Sequence, residues 1–244
     1  MWADVRGAFT FLTILPFGFP TGRQPGWIFT WFPLVGLLIG LLIAGVARFA
    51  PFSPDLTAFV ALAAWVIITG GLHLDGLGDS ADGLLAAVPA ARRLEIMKDP
   101  RAGSWAVITL TLVLLGKYLA LRALDARLLI LPPVVGRWVL VLAAVGFPYA
   151  RRTQASLGGH YRTGLGRAQR IGATLITLPV VISASGDWRV AALVIVIGLA
   201  TVGLGGMWAA RQLGGGLTGD VYGALCEMTE LLCLIGLNLV ANWG

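Results

Sequence analysis

The chain has 244 residues, 57% hydrophobic and 12% charged, with a net charge of +6 and a mean hydropathy of +0.84. A soluble domain carries about twice that charge, so the composition excludes an ordinary soluble enzyme and predicts an all-α polytopic membrane bundle, a single integral domain over 1–244. Basic loops against anionic lipid account for the positive charge, and nothing in it asks for a nucleic-acid partner.

In chain order, Val5–Phe17 is apolar but short, and Pro16 closes it, so it reads as an interfacial or re-entrant segment. It follows an acidic residue and lacks a small-residue cleavage pattern, so no cleavable signal is expected. Spans are predicted over Trp27–Arg48, Leu56–Leu74, Gly103–Leu121, Leu128–Tyr149, Ile171–Gly186, Val190–Ala210 and Val221–Trp243. The fifth is short and the fourth carries Arg137, which sets the range at six to eight. Tryptophans such as Trp27, Trp105, Trp188, Trp208 and Trp243 sit near predicted ends, as interfacial anchors do. Gly36 and Gly40 stand at the spacing of closely packed membrane helices. Cys226 and Cys233, seven residues apart on one apolar segment, read as packing thiols, since one straight helix cannot bring them within disulfide reach.

With seven crossings, twelve Lys and Arg residues fall on one side and five (Arg48, Lys117, Arg122, Arg127 and Arg189) on the other, with Arg137 inside a span. That asymmetry predicts a cytoplasmic N-terminus and an external C-terminus. It also puts the end of the second span, the 87–102 loop, the 150–170 loop and the 211–220 loop on the same, cytoplasmic, side. Those four segments hold nearly every candidate chemical group.

The first cluster is His73, Asp75, Asp79 and Asp82. The chain has only 12 acidic residues, and three of them stand here at i, i+4, i+7, on one helical face. Like charges so close call for a cation among them, and oxygen ligands suit a divalent one. A helix cap needs one acid, not three; His73 reads equally as a core histidine or a base. The second is the run from Arg92 to Gly103, where Glu95 and Asp99 alternate with Lys98 and Arg101. Acids to hold a cation and bases to hold phosphate charge are what a metal-bound phosphate ester requires, although an amphipathic surface helix would look the same. The third is the glycine-rich turn before Thr218, Gly219 and Asp220, which offers free N–H groups for phosphate or ribose. Beyond it, Glu227 and Glu230 lie in an apolar segment and need a partner, such as Arg137, Arg211 or a metal. Arg151, Arg152, His160, Tyr161, Arg162, Arg167 and Arg170 form a basic loop that the charge asymmetry largely explains and that could steer an anionic substrate. Together the clusters point to metal-assisted transfer of a phosphate-linked group, with cation transport as the rival reading.

The chain resembles the adenosylcobinamide-GDP ribazoletransferase (cobalamin synthase) family over essentially its full length. The resemblance runs through Phe9–Pro16, Phe32–Gly36, Gly70–Gly83, Arg93–Asp99, Gly215–Asp220 and Glu230. It implies a magnesium-dependent membrane enzyme that joins adenosylcobinamide-GDP to α-ribazole or its 5′-phosphate and releases GMP. A looser similarity is to the CDP-alcohol phosphotransferases, whose signature begins D-x2-D-G-x2-A. Asp79, Asp82, Gly83 and Ala86 match it, but Ala87 replaces an arginine and the later G-x3-D-x3-D is missing. On the first resemblance, Asp75, Asp79, Asp82 and Asp99 are expected to hold Mg2+. Lys98 and Arg101 would bind phosphate, Glu95 would act as the base beside Asp82, and Thr218, Gly219 and Asp220 would contact nucleotide or ribose. The expected setting is the inner membrane with the site facing the cytoplasm, and association into a homo-oligomer stays open.

Overall fold

A computed structural model describes residues 1–18, 24–151 and 162–241. Trp243, Arg152, His160 and Tyr161 therefore lie outside the described residues. The first element is α1 (Trp2–Leu12), followed by a 3-10 segment (Pro25–Trp31) that leads into α2 (Phe32–Phe49). Next come α3 (Pro54–Thr69), α4 (Leu72–Leu85), the short α5 (Ala90–Ile96) and α6 (Ser104–Leu121). A 3-10 turn (Ala126–Ile130) opens α7 (Leu131–Gly146), and α8 (Arg167–Ser185) and α9 (Trp188–Ala200) follow. A π-helical turn (Thr201–Gly206) joins α9 to α10 (Met207–Gln212), and α11 (Gly219–Ala241) ends the bundle. The architecture is all-α, and among the described residues the only β pairing is one isolated bridge between Tyr149 and Leu217.

Among the described residues, six helical stretches are long and apolar enough to cross a membrane: Pro25–Phe49, Ser104–Leu121, Ala126–Gly146, Arg167–Ser185, Trp188–Gln212 and Gly219–Ala241. The N-terminal helix α1 has 11 residues, about 16 Å, and is too short to span. The predicted second span, Leu56–Leu74, is not one straight helix. It breaks into α3 and α4, which meet at 87°. Gly70 and Gly71 make the break, with φ of +60° and +68°, a backbone state that costs a side-chain-bearing residue energy. Their N–H groups close α3 on Ile67 and Val66 carbonyls at 3.0 and 3.2 Å, and Gly71 O accepts from Asp75 N–H at 2.9 Å to start α4.

The centre of the bundle is α7, buried along nearly its whole length, with α2, α8, α9 and α11 around it. Helices in lipid gain little from the hydrophobic effect, so close packing holds them together. A Cβ on Gly36 would lie 2.4 Å from Pro133 O, so the glycine lets α2 lie directly against α7. Cys226 and Cys233 are buried free thiols, as expected.

Loops sort to two ends. At one end, Arg93 binds the carbonyls of Val88 (2.9 Å) and Gly83 (3.1 Å), Arg151 reaches Met97 O (3.3 Å), and Tyr149 pairs with Leu217. This brings together the end of α4, the 87–102 loop, the start of the 150–170 loop and the 213–218 turn. At the other end Arg122 pairs with Asp55, and Arg127 binds Ser183 O beside Gly186. The grouping expected from the basic residues is therefore a tertiary fact for the described loops.

Candidate active site at the carboxylate end of the bundle

Helix α4 carries the acids. Gly76 faces α11, where an added Cβ would stand 2.8 Å from Asp220 O. That contact leaves room for no side chain and seats α4 against the start of α11. Asp75 is exposed, and Asp79 and Asp82 are half-buried, so the acidic face opens to solvent at the end of the bundle.

Asp82 has a structural duty that the spacing did not reveal. Its Oδ2 accepts from Gly103 N–H at 2.7 Å and its Oδ1 from Ala106 N–H at 3.0 Å. Helix α6 starts on Gly103, which has no side chain to cap it, and Asp82 supplies the missing acceptor from 21 residues away. Each oxygen keeps a second lone pair. Asp82 also borders a polar cavity of about 410 Å³ that includes Arg92, Glu95, Asp99, Arg101 and Gly103. The structure thus brings Asp82, Glu95, Asp99 and Arg101 to one concavity.

Within that cavity the pairs are local. Arg92 Nη1 donates to Glu95 Oε2 at 2.7 Å, with both groups well exposed. Arg101 grips Asp99 with Nε at 2.9 Å and Nη2 at 2.7 Å, and its backbone N–H adds a bond of 3.0 Å to Oδ1. These bonds from Arg101 hold the Asp99 carboxyl well below the usual range, at about 2. Lys98 is exposed. Arg93 turns away from the cavity and caps the last carbonyls of α4.

Asp79 faces a second acidic group, in which Asp220, Asp75 and Asp82 are its charged neighbours and Arg151 is the cation. Asp220 stands in the first turn of α11. Thr218, fully buried, donates from Oγ1 to Asp220 Oδ2 at 3.2 Å and accepts from Val221 N–H at 3.3 Å, capping the helix. Arg151 Nη2 donates to the same Asp220 oxygen at 2.6 Å. Thr218 is thus a cap first, and Gly219, at the head of α11, has open space where a Cβ would be. The role of Arg151 was missed at the residue level: its sequence neighbours are basic, and nothing local singles it out.

Magnesium takes one or two carboxylates together with substrate phosphates and water, not an all-protein cage. Among the described residues, no three His, Cys, Asp or Glu side chains surround one ion position. The acid-rich face of Asp75, Asp79 and Asp220 fits an ion shared with a diphosphate, because it offers hard oxygen donors with solvent on one side. Asp99 fits less well, since Arg101 occupies both of its oxygens.

Two other features lie outside this site. Lys117, Glu227, Glu230 and Arg137 form a buried network between α6, α7 and α11 (Lys117 Nζ to Glu227 Oε2, 2.6 Å; Lys117 and Arg137 both to Glu230). Lys117 also stands 4.3 Å over the Trp65 ring. Lys117, counted with the basic residues of the external side, is instead buried inside α6 and 2% exposed. The larger cavity, about 770 Å³, is walled by apolar side chains such as Leu77, Leu84, Leu225 and Met228, and no carboxylate lines it.

Fold and site together define a polytopic helical membrane protein with a carboxylate and guanidinium site at one end of its bundle. A family described as cobalamin-5-phosphate synthase matches residues 4–238. Proteins named adenosylcobinamide-GDP ribazoletransferase are similar over nearly the whole chain. The one from Roseiflexus sp. (strain RS-1) is 38% identical, covering 98% of this chain and 91% of its own. That of Pseudomonas savastanoi pv. phaseolicola is 38% identical (96% and 98%), and that of Synechococcus sp. (strain ATCC 27144) 35% (98% and 97%). The chain belongs to the cobalamin-5-phosphate synthase family. No solved structure matches it.

Proposed function

We propose that the protein joins adenosylcobinamide-GDP to α-ribazole or its 5′-phosphate, giving adenosylcobalamin or its 5′-phosphate and GMP, with Mg2+ as cofactor. Family membership over the whole chain supports the reaction. The observation that carries the site is the meeting of Asp79, Asp82, Glu95, Asp99 and Asp220 with Arg101 and Arg151 at one end of the bundle. The reaction forms a bond from a ribazole hydroxyl oxygen to the phosphorus on the cobinamide arm. The phosphorus–oxygen bond to the GMP phosphate breaks, and GMP leaves with that electron pair.

Asp75 and Asp79 would hold the metal, with the remaining lone pairs of Asp82 turned to it and Asp99 joining only by giving up Arg101. Bound there, Mg2+ would neutralise the diphosphate and polarise phosphorus. Arg101, which lines the cavity, and the exposed Lys98 bind phosphate oxygens. Glu95 takes the hydroxyl proton. Thr218, Gly219 and Asp220 border the nucleotide or its ribose. The excess of basic residues in these loops supports a cytoplasmic setting for this end, at the inner membrane. A lipid phosphotransferase would instead release CMP from a CDP-alcohol, and a transporter would yield no product.

The test is GMP release from adenosylcobinamide-GDP and α-ribazole by protein purified into liposomes. Release should require Mg2+ and fall by about a hundredfold or more in Asp79→Asn. Wild-type protein that makes no product from this pair would remove the reaction; magnesium-independent release would remove the metal.

A further inference from the structure

Arg151 is held where a cation is needed, but only part of its guanidinium is used. Two hydrogen bonds, Leu217 N–H to Pro148 O (2.9 Å) and Ala150 N–H to Leu217 O (2.9 Å), clasp the segment before it to the turn that precedes Asp220. The side chain then lies between Asp220 Oδ2 (2.6 Å) and Met97 O (3.3 Å), and one nitrogen, Nη2, makes both contacts. Nε is buried with no partner among the described residues. Arg151 is also the cation that Asp79 faces among its acidic neighbours. Leaving a buried donor unmade is costly, and a planar fork suits two phosphate oxygens better than one carboxylate oxygen.

We propose that Arg151 is a phosphate-binding residue parked on Asp220 in the free protein and exchanged for a divalent cation when a nucleoside-diphosphate group binds. The cation then offsets Asp220 and Asp79, and Nε and Nη2 of Arg151 turn to the diphosphate. Cation and diphosphate are bound as a coupled pair, because each removes the other's competitor. This assignment rests on the magnesium and nucleotide-diphosphate reading given above, but it makes its own predictions without turnover.

The experiment measures Mn2+ affinity by electron paramagnetic resonance, and GDP affinity by equilibrium dialysis with and without Mn2+, on the full chain in nanodiscs. Arg151→Gln should tighten Mn2+ binding about fivefold, since its internal competitor is gone, and weaken GDP binding in Mn2+ about tenfold. Arg151→Lys should return Mn2+ affinity to the wild-type value but leave GDP weak, because an ammonium lacks the fork. Asp220→Asn frees the arginine without removing it, so it should weaken Mn2+ and strengthen GDP binding in metal-free buffer. Mn2+ affinity unchanged or weaker in Arg151→Gln would overturn the exchange, as would GDP affinity in metal-free buffer unaltered by Asp220→Asn. Wild-type protein that couples Mn2+ to GDP yet never releases GMP from adenosylcobinamide-GDP would leave this proposal standing and remove the reaction.

Discussion

Asp79 and Asp82 look equivalent by spacing, yet their surroundings separate them. Both oxygens of Asp82 accept from backbone N–H groups that begin α6, whereas Asp79 faces other carboxylates and Arg151. Substitution should therefore split stability from chemistry. Asp82→Ala should lower folding stability by about 1–2 kcal/mol, the scale of a lost helix cap, as well as activity. Asp79→Asn should hold or raise the melting temperature, since it removes a like charge, while GMP release falls. Thermal unfolding in detergent beside the product assay reads both effects; equal destabilisation by the two variants would contradict the division. The spacing of the acids was legible because α4 is a helix, but the capping duty of Asp82 was not, since its partners lie 21 and 24 residues away.

At the scale of elements, the decisive objects are the bend between α3 and α4 and the ion network between α6, α7 and α11. Hydropathy runs smoothly across Gly70 and Gly71, so a window scan joins what the backbone separates. The need of Glu227 and Glu230 for a partner was readable, and Arg137 was named among the candidates. Lys117 was not, because α6 is apolar on every side of it. The network holds two cations and two carboxylates. Lys117→Met would leave Arg137 alone against both acids. Removing one partner of a buried pair costs about 3–5 kcal/mol, so this variant should yield little folded protein. The double change Lys117→Met with Glu227→Gln restores the charge balance and should recover most of the loss. Size-exclusion profiles and melting temperatures check the pair, and a double variant no better than the single would show that charge balance is not what matters.

For the whole molecule, the six long helices among the described residues, with the bent α3–α4 pair counted as one further span, make seven passes by length and composition, an arrangement that predicts the two ends of the bundle on opposite sides of the membrane. The site end carries α5, and the other end carries the α2–α3 connection with Phe52. Cysteines introduced at exposed Ala91 and Phe52 should thus respond oppositely to a membrane-impermeant thiol reagent applied to intact cells. Phe52→Cys should react from outside and Ala91→Cys only after lysis. Background should be low, because Cys226 and Cys233 are buried. Labelling of both, or of Ala91→Cys alone, would reverse or break the topology.

The sequence by itself determined the solvent this protein lives in, the number of its apolar spans within one, and the spacing of the acids that gather at one end of its bundle. These are properties of composition and local period, and a bilayer imposes them on any chain so apolar. The resemblance in the Gly70–Gly83 and Arg93–Asp99 blocks likewise stood in the sequence. Tertiary structure decided what each charge answers to. It took Lys117 from the external side's basic residues into a buried network, gave Asp82 to the start of α6, and set Arg151 on Asp220. Those pairings join residues dozens of positions apart, and only packed helices and clasped loops bring such groups within hydrogen-bond reach.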